Sequence, residues 1–97
     1  MIGSQIGRQT LSVTSTPVSL TLPAGKRPQY MRASVEIGAV RWECGPGIEP
    51  TGNDGQLAAV GSSIEFMEPG VPAANWIANF RVVALSGSAT LQVQFFD

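Results

Sequence analysis

Wherever apolar residues recur regularly in this chain, they recur at every second position and only over short runs. Met31, Ala33, Val35 and Ile37 alternate with Tyr30, Arg32, Ser34 and Glu36, and Ala89, Leu91, Val93 and Phe95 alternate with Thr90, Gln92 and Gln94. Side chains of an extended strand point in turn to opposite faces, so this spacing gives a strand with one apolar and one polar face. On a helix the same residues would be scattered around the axis. Seven prolines and 11 glycines punctuate the runs, which leaves room for seven or eight strands at intervals of about 8–12 residues and for no long helix. Such spacing is that of a small sandwich or barrel.

The centre of the chain is the strand Val40-Arg41-Trp42-Glu43-Cys44, a Gly- and Pro-rich loop from Gly45 to Gly55, and the returning strand Ser63-Ile64-Glu65-Phe66. Val40, Trp42 and Cys44 are expected to face inward, with Arg41 and Glu43 outward. Asn53-Asp54-Gly55 is a turn signal, and Leu57 to Val60 are expected to dock the end of the loop. Upstream, Leu11 to Leu22 alternate around a break at Pro17, which predicts an edge strand or a bend. Pro23 to Pro28 form a turn, Tyr30 to Ile37 a strand with Met31, Ala33, Val35 and Ile37 on its core face, and Gly38-Ala39 a tight connection. Downstream, Met67 to Asn79 are irregular, with space for one helical turn around Ala73 to Ile77. Phe80 to Leu85 and Ala89 to Phe96 predict a hairpin about Ser86-Gly87-Ser88. Residues 1–10 show no period and predict an extended arm, leaving 11–97 as one domain. Ile2, Ile6 and Arg8 are the arm's candidate contacts with a neighbour.

Composition excludes several functions. Six basic and seven acidic residues give a net charge of −1 with no run of either sign, whereas a nucleic-acid binder is expected to carry a basic patch. Charged residues make up 13% of the chain, about half of the roughly 25% usual in soluble domains. Such a sparsely charged surface suits a protein partly covered by partners. The single Cys cannot form an internal disulfide, and with no basic and apolar leader at its start the chain reads as synthesised in a cytoplasm. No apolar run approaches the roughly 20 residues of a membrane span, so neither nucleic acid nor membrane is an expected partner.

No catalytic constellation stands out. Cys44 lacks the base that would generate a thiolate, because the chain contains no His, and as a free Cys at an inward position it reads as core. One Cys without His cannot hold zinc. Glu36, Glu43 and Glu65 occupy outward positions where a carboxylate pair could serve glycoside hydrolysis, yet outward charges on antiparallel strands more simply face Arg32, Arg41 or Arg81 across the sheet. Thr51 to Gly55 lack the repeated acids and closing Glu of a calcium loop. No enzyme activity, metal or cofactor is expected. Among the aromatics, Trp76 either anchors an interface, stacks on a sugar or plugs one end of the fold, and Tyr30 poses the same choice. Phe96, facing opposite to Phe95, is a candidate for cover by another chain.

Val40-Arg41-Trp42, the loop with Pro50-Thr51, the stretch Leu57 to Glu65, and the ending from Phe80-Arg81-Val82 through Ala89 to Phe96 together resemble small virion proteins of tailed bacteriophages. The resemblance covers about residues 30–97 and rests on pattern; the arm lies outside it. It implies an all-β fold, a single small jelly-roll-like β-sandwich of antiparallel strands, and a capsid decoration or cement protein that binds the major capsid protein on the outer shell of the virion. A homo-oligomer, dimer or trimer, goes with that role, and the arm would pair along a neighbour's strand edge. Alternatives are a neck, tail or baseplate component, or a carbohydrate-binding module using Trp76 and Tyr30. The candidate interface residues are Ile2, Ile6, Arg8, Tyr30, Trp76 and Phe96.

Overall fold

The computed structural model describes residues 4–25, 27–68 and 75–97, so Ile2 lies outside the described residues. The described residues form eight strands: β1 (Gln5–Val13), β2 (Val18–Ser19), β3 (Tyr30–Ile37), β4 (Val40–Glu43), β5 (Gln56–Ala58), β6 (Ser63–Met67), β7 (Arg81–Ala84) and β8 (Ala89–Phe96). They form two antiparallel sheets, sheet A in the order β1-β8-β3-β6 and sheet B in the order β2-β7-β4-β5. Among the described residues no helix is long and apolar enough to cross a membrane.

The alternating rows meet between the sheets. Leu11, Val13, Met31, Ala33, Val35, Ile64, Leu91, Val93 and Phe95 from sheet A join Val40, Ala58, Val82 and Ala84 from sheet B in one core, closed below by Ile77 and Phe80. No polar or charged side chain among the described residues is buried in it. Trp42 stacks on Phe66 at 5.7 Å and on Phe80 at 5.7 Å, and Trp76 meets the edge of Phe66 at 6.2 Å. This four-ring cluster closes the end of the core away from the short turns, using the preference of aromatic pairs for offset or edge contact.

Several expectations change in three dimensions. The expected final hairpin is absent: both strands exist, but β7 lies in sheet B between β2 and β4, and β8 lies in sheet A between β1 and β3. With both edges of β8 already paired, β7 has no place beside it, and the turn at Ser86 to Ser88 instead crosses the core so that each strand buries its apolar row against the other sheet. The stretch that reads as an arm is extended, but from Gln5 onward it is hydrogen-bonded to β8 as an edge strand of sheet A. A register shift between Gln5 and Gly7 lets Ile6 turn inward, where it is half-buried and packs against the core. Ile37, expected inside, is 60% exposed. The ladder between β3 and β8 slips between Val35 and Ile37, which sets Ile37 opposite outward-facing Thr90, and one extra residue in a strand moves the residues after it to the other face. Leu57 and Val60 are exposed as well, so Ala58 alone docks the end of the loop. The helical turn α1 (Trp76–Asn79) falls three residues later than expected at its start, with the N–H of Ile77 in its first turn donated to Glu68 Oε1 at 3.0 Å; residues 73 and 74 lie outside the described set.

The long loop is held by Arg41. Its Nε donates to Gly52 O at 3.2 Å and its Nη1 to Gly55 O at 3.0 Å, while Thr51 Oγ1 accepts from the N–H groups of Asn53 and Asp54 to form the expected turn. Pro50 is fully buried beside Gly55, where a side chain's Cβ would stand 3.1 Å from the proline ring and 3.4 Å from Arg41 Cβ. Val83, opposite Arg41 on the outer side of sheet B, is only 1% exposed. Both faces of β7 are covered.

Candidate interaction surfaces

Cys44 is half-buried just beyond β4 and not deep in the core. Burial first, and then the charges of Glu43 and Glu68, push its thiol pKa up, which keeps it protonated and unreactive. The phenol of Tyr30 is likewise pushed up, by burial and then by the charge of Glu65. Both groups hold their protons more tightly when folded than unfolded. Their stabilising contribution is complete below the ordinary values of 9.0 and 10.0 and is lost as pH rises through the folded values. Urea midpoints are thus expected to fall above about pH 9, and in Cys44→Ala the fall should begin at higher pH. An alkaline decline identical in both proteins would show that the thiol has no part in it.

Of the three outward glutamates, Glu36 and Glu65 belong to sheet A and Glu43 to sheet B. Glu65 faces Arg32 across β3 and β6, and Glu43 faces Arg81 across β4 and β7, on different sheets. Arg32 donates both Nε and Nη2 to Gln94 Oε1, at 3.3 and 2.9 Å, and Arg81 donates to the carbonyls of Ala78 and Phe80. Trp76, 38% exposed, is packed against the inward-facing Phe66, whereas Tyr30 lies on the outer face of sheet A against Phe96 at 5.4 Å. The two aromatics assigned to a sugar site are thus on separate surfaces.

Three of the expected interface residues do converge. The outward side chains of sheet A form four rungs across its strands, as the register of the three ladders dictates: Ser12-Thr90-Ile37, Thr10-Gln92-Ser34-Ser63, Arg8-Gln94-Arg32-Glu65, and Gln5-Phe96-Tyr30-Met67. Arg8, Tyr30 and Phe96 belong to the last two. The Arg32 guanidinium lies over the Phe96 ring, 5.9 Å from its centre, a cation–π contact. Above it, the small side chains of Ser34 and Ser63 floor a hollow of about 440 Å³ walled by Arg8, Gln92, Gln94 and Glu65. Sequence alternation alone marks these residues as outward; their grouping into rungs needs the strand order.

A second surface emerges only from the topology. Strand directions bring the connections 14–17, 38–39, 59–62 and 85–88 to one end of the fold. These connections contain Thr, Ser, Pro, Gly, Ala, Val and Leu and no charged residue, and Val60 among them is 56% exposed. The opposite end carries the long loop and α1. The signal for this tip is present in the sequence as four charge-free turns, but nothing local gathers them.

No family model, curated protein or solved structure matches the chain.

Proposed function

We propose that the chain is a capsid decoration protein of a tailed bacteriophage, docking on the outer shell through its charge-free tip and bridging neighbouring capsomers. The observation that carries this reading is the tip itself: four tight turns without a charge, gathered at one end of a rigid two-sheet body, with exposed Val60 among them. The turn residues carry no charge of their own and lose little on desolvation, which suits an extended contact with another protein, and the exposed Glu36 borders them in a hollow shared with Val60, Gly61 and Ser62. Many weak contacts repeated over a lattice become strong through multivalency. The strand order 1-8-3-6 against 2-7-4-5 supports reading the sandwich as a jelly roll, an eight-stranded architecture used in viral capsid proteins and in lectins; this is an analogy of fold and adds to the resemblance over residues 30–97.

Because Gln5 to Thr10 are already paired with β8, bridging here is assigned to the tip and not to a free arm. Introducing charge there should abolish docking without unfolding the protein, since both sites are exposed turns. Val60→Asp and Ser86→Asp are each expected to weaken binding to expanded capsids at least about 10-fold, as desolvating an unpaired carboxylate costs more than about 1.4 kcal/mol. Cosedimentation measures this. Binding that is unchanged in both variants would move the contact away from the tip, and binding confined to purified necks or tails would move the protein to those structures.

A further inference from the structure

We infer that the outer face of sheet A is the contact between two copies of this chain, related by a two-fold axis that runs parallel to the strands between β8 and β3. Rotation about such an axis carries β1 over the β6 of its mate and β8 over the mate's β3, and it leaves each rung at its own height. The rungs are complementary to themselves under that operation. In the charged rung Arg8 meets Glu65 of the second copy and Gln94 meets Arg32, while in the aromatic rung Phe96 meets Tyr30 and Gln5 meets Met67. In the rung above, the long Gln92 comes over the short Ser34 and Thr10 over Ser63, so the hollow floored by the two serines receives side chains of the mate. At the top Thr90 meets Ile37.

The alternative axis, perpendicular to the strands, would set Arg8 against Thr10 and Glu65 against Ser63 and pair no opposite charges. Two-fold contacts require a patch to complement itself, residue i meeting j and j meeting i, and among the rungs only the parallel axis provides this. The face also exposes Ile37 and Met67 and leaves Tyr30 and Phe96 half-exposed, an apolar content that favours cover. Four strands about 4.8 Å apart and some eight residues long present about 500 Å² per copy, or about 1,000 Å² in all, near the lower bound for a specific interface. Twisted sheets packed face to face are rotated by about 30°, which displaces the edge strands by roughly half a rung. Arg8 and Glu65, both long side chains, span that offset.

The parallel axis has a consequence for assembly: both tips of the pair point the same way. A dimer of this form would present two charge-free ends to one surface. The inference itself stands on the rungs and does not depend on what the tips touch.

Sedimentation equilibrium at about 0.1 mM protein in low salt, where partly exposed charge pairs are least screened, should show a dimer. Arg8→Glu and Glu65→Arg, both at exposed positions outside the core, should each raise the dissociation constant about 10-fold or more, because each creates two like-charge contacts per dimer. An equimolar mixture of the two variants restores both opposite-charge contacts and should form a 1:1 heterodimer, visible by native mass spectrometry, with an affinity within a few-fold of the original. A monomeric or trimeric parent protein, a dimer insensitive to both reversals, or a mixture that fails to pair would each overturn the inference. Since capsid docking is read from Val60→Asp and Ser86→Asp, failure of that reading remains separable from failure of this one.

Discussion

Phe80→Ala is expected to destabilise the protein by about 3–5 kcal/mol, the range for removing a fully buried large side chain whose surroundings relax only in part. Phe80 is 0% exposed and sits at the junction of α1 and β7, stacked on Trp42 at 5.7 Å and tilted against Phe66 at 6.1 Å. Its removal takes a neighbour from two rings, Trp42 and Phe66, and loosens the support of Trp76, which meets the cluster through Phe66. Native domains are stable by about 5–15 kcal/mol, so the loss would take about a fifth or more of the total and lower Tm by on the order of 20 °C. Thermal melts followed by near-ultraviolet circular dichroism, which reports the packed tryptophans, check it. Trp76→Ala should do much less, because that ring is already partly in water.

Gly38→Ala should destabilise the fold by about 2–3 kcal/mol for a different reason. Gly38 carries the chain from β3 in sheet A to β4 in sheet B with a φ of 72°, and a Cβ there would fall 2.5 Å from Ser88 O and 3.3 Å from Ala89 Cα. An L-residue is strained at that φ by about 1–2 kcal/mol, and the neighbouring atoms belong to backbone and cannot rotate away. Gly47 provides the control: it has the same φ of 72° with nothing within 4 Å of the Cβ position. Gly47→Ala should therefore show the conformational strain alone, about 1 kcal/mol. Urea midpoints for the two variants separate the terms, and equal losses would show that the close approach between the β3–β4 and β7–β8 turns has no energetic weight.

How far the sequence can be read depends on the range of the interaction concerned. Alternation is a local property of an extended chain, and it places Met31, Ala33 and Val35 inside, Tyr30 and Arg32 outside, and Phe95 and Phe96 on opposite faces, as found. Strand pairing is not local. Phe80 to Phe96 looks like a hairpin because a short Gly-containing turn joins two apolar rows, and nothing in those residues says that β1 and β3 will already occupy both edges of β8. Alternation misplaces Ile37 for a related reason: a bulge after Val35 has no signature when Glu36 and Ile37 continue the same pattern. Pro50 is buried in the Arg41-held loop, in a stretch whose composition reads only as turn, and Val83 is buried at an outward position of β7 that alternation alone would leave exposed.

The surfaces obey the same division. Arg8, Tyr30 and Phe96 can be picked out singly as outward or unpaired in pattern, and they do share the face of sheet A. Their partners Gln94, Arg32 and Glu65 belong to the same rung system through registers that no single strand encodes. Ile6 reads as a possible anchor because an isolated large apolar residue in an irregular segment gives no periodicity, and it packs against the chain's own core, while Trp76, open between interface, sugar and plug, sits at the edge of the aromatic cluster that closes one end of the fold.

Capsid decoration is the role we propose for this protein. The most direct measurement is to incubate the purified protein with expanded capsids that lack it, count copies per particle after sedimentation, and record the temperature at which the particles rupture. The account predicts saturable binding of on the order of hundreds of copies and a raised rupture temperature, because a ligand that binds only the intact shell stabilises it by mass action. No binding, or a handful of copies with an unchanged rupture temperature, would contradict it.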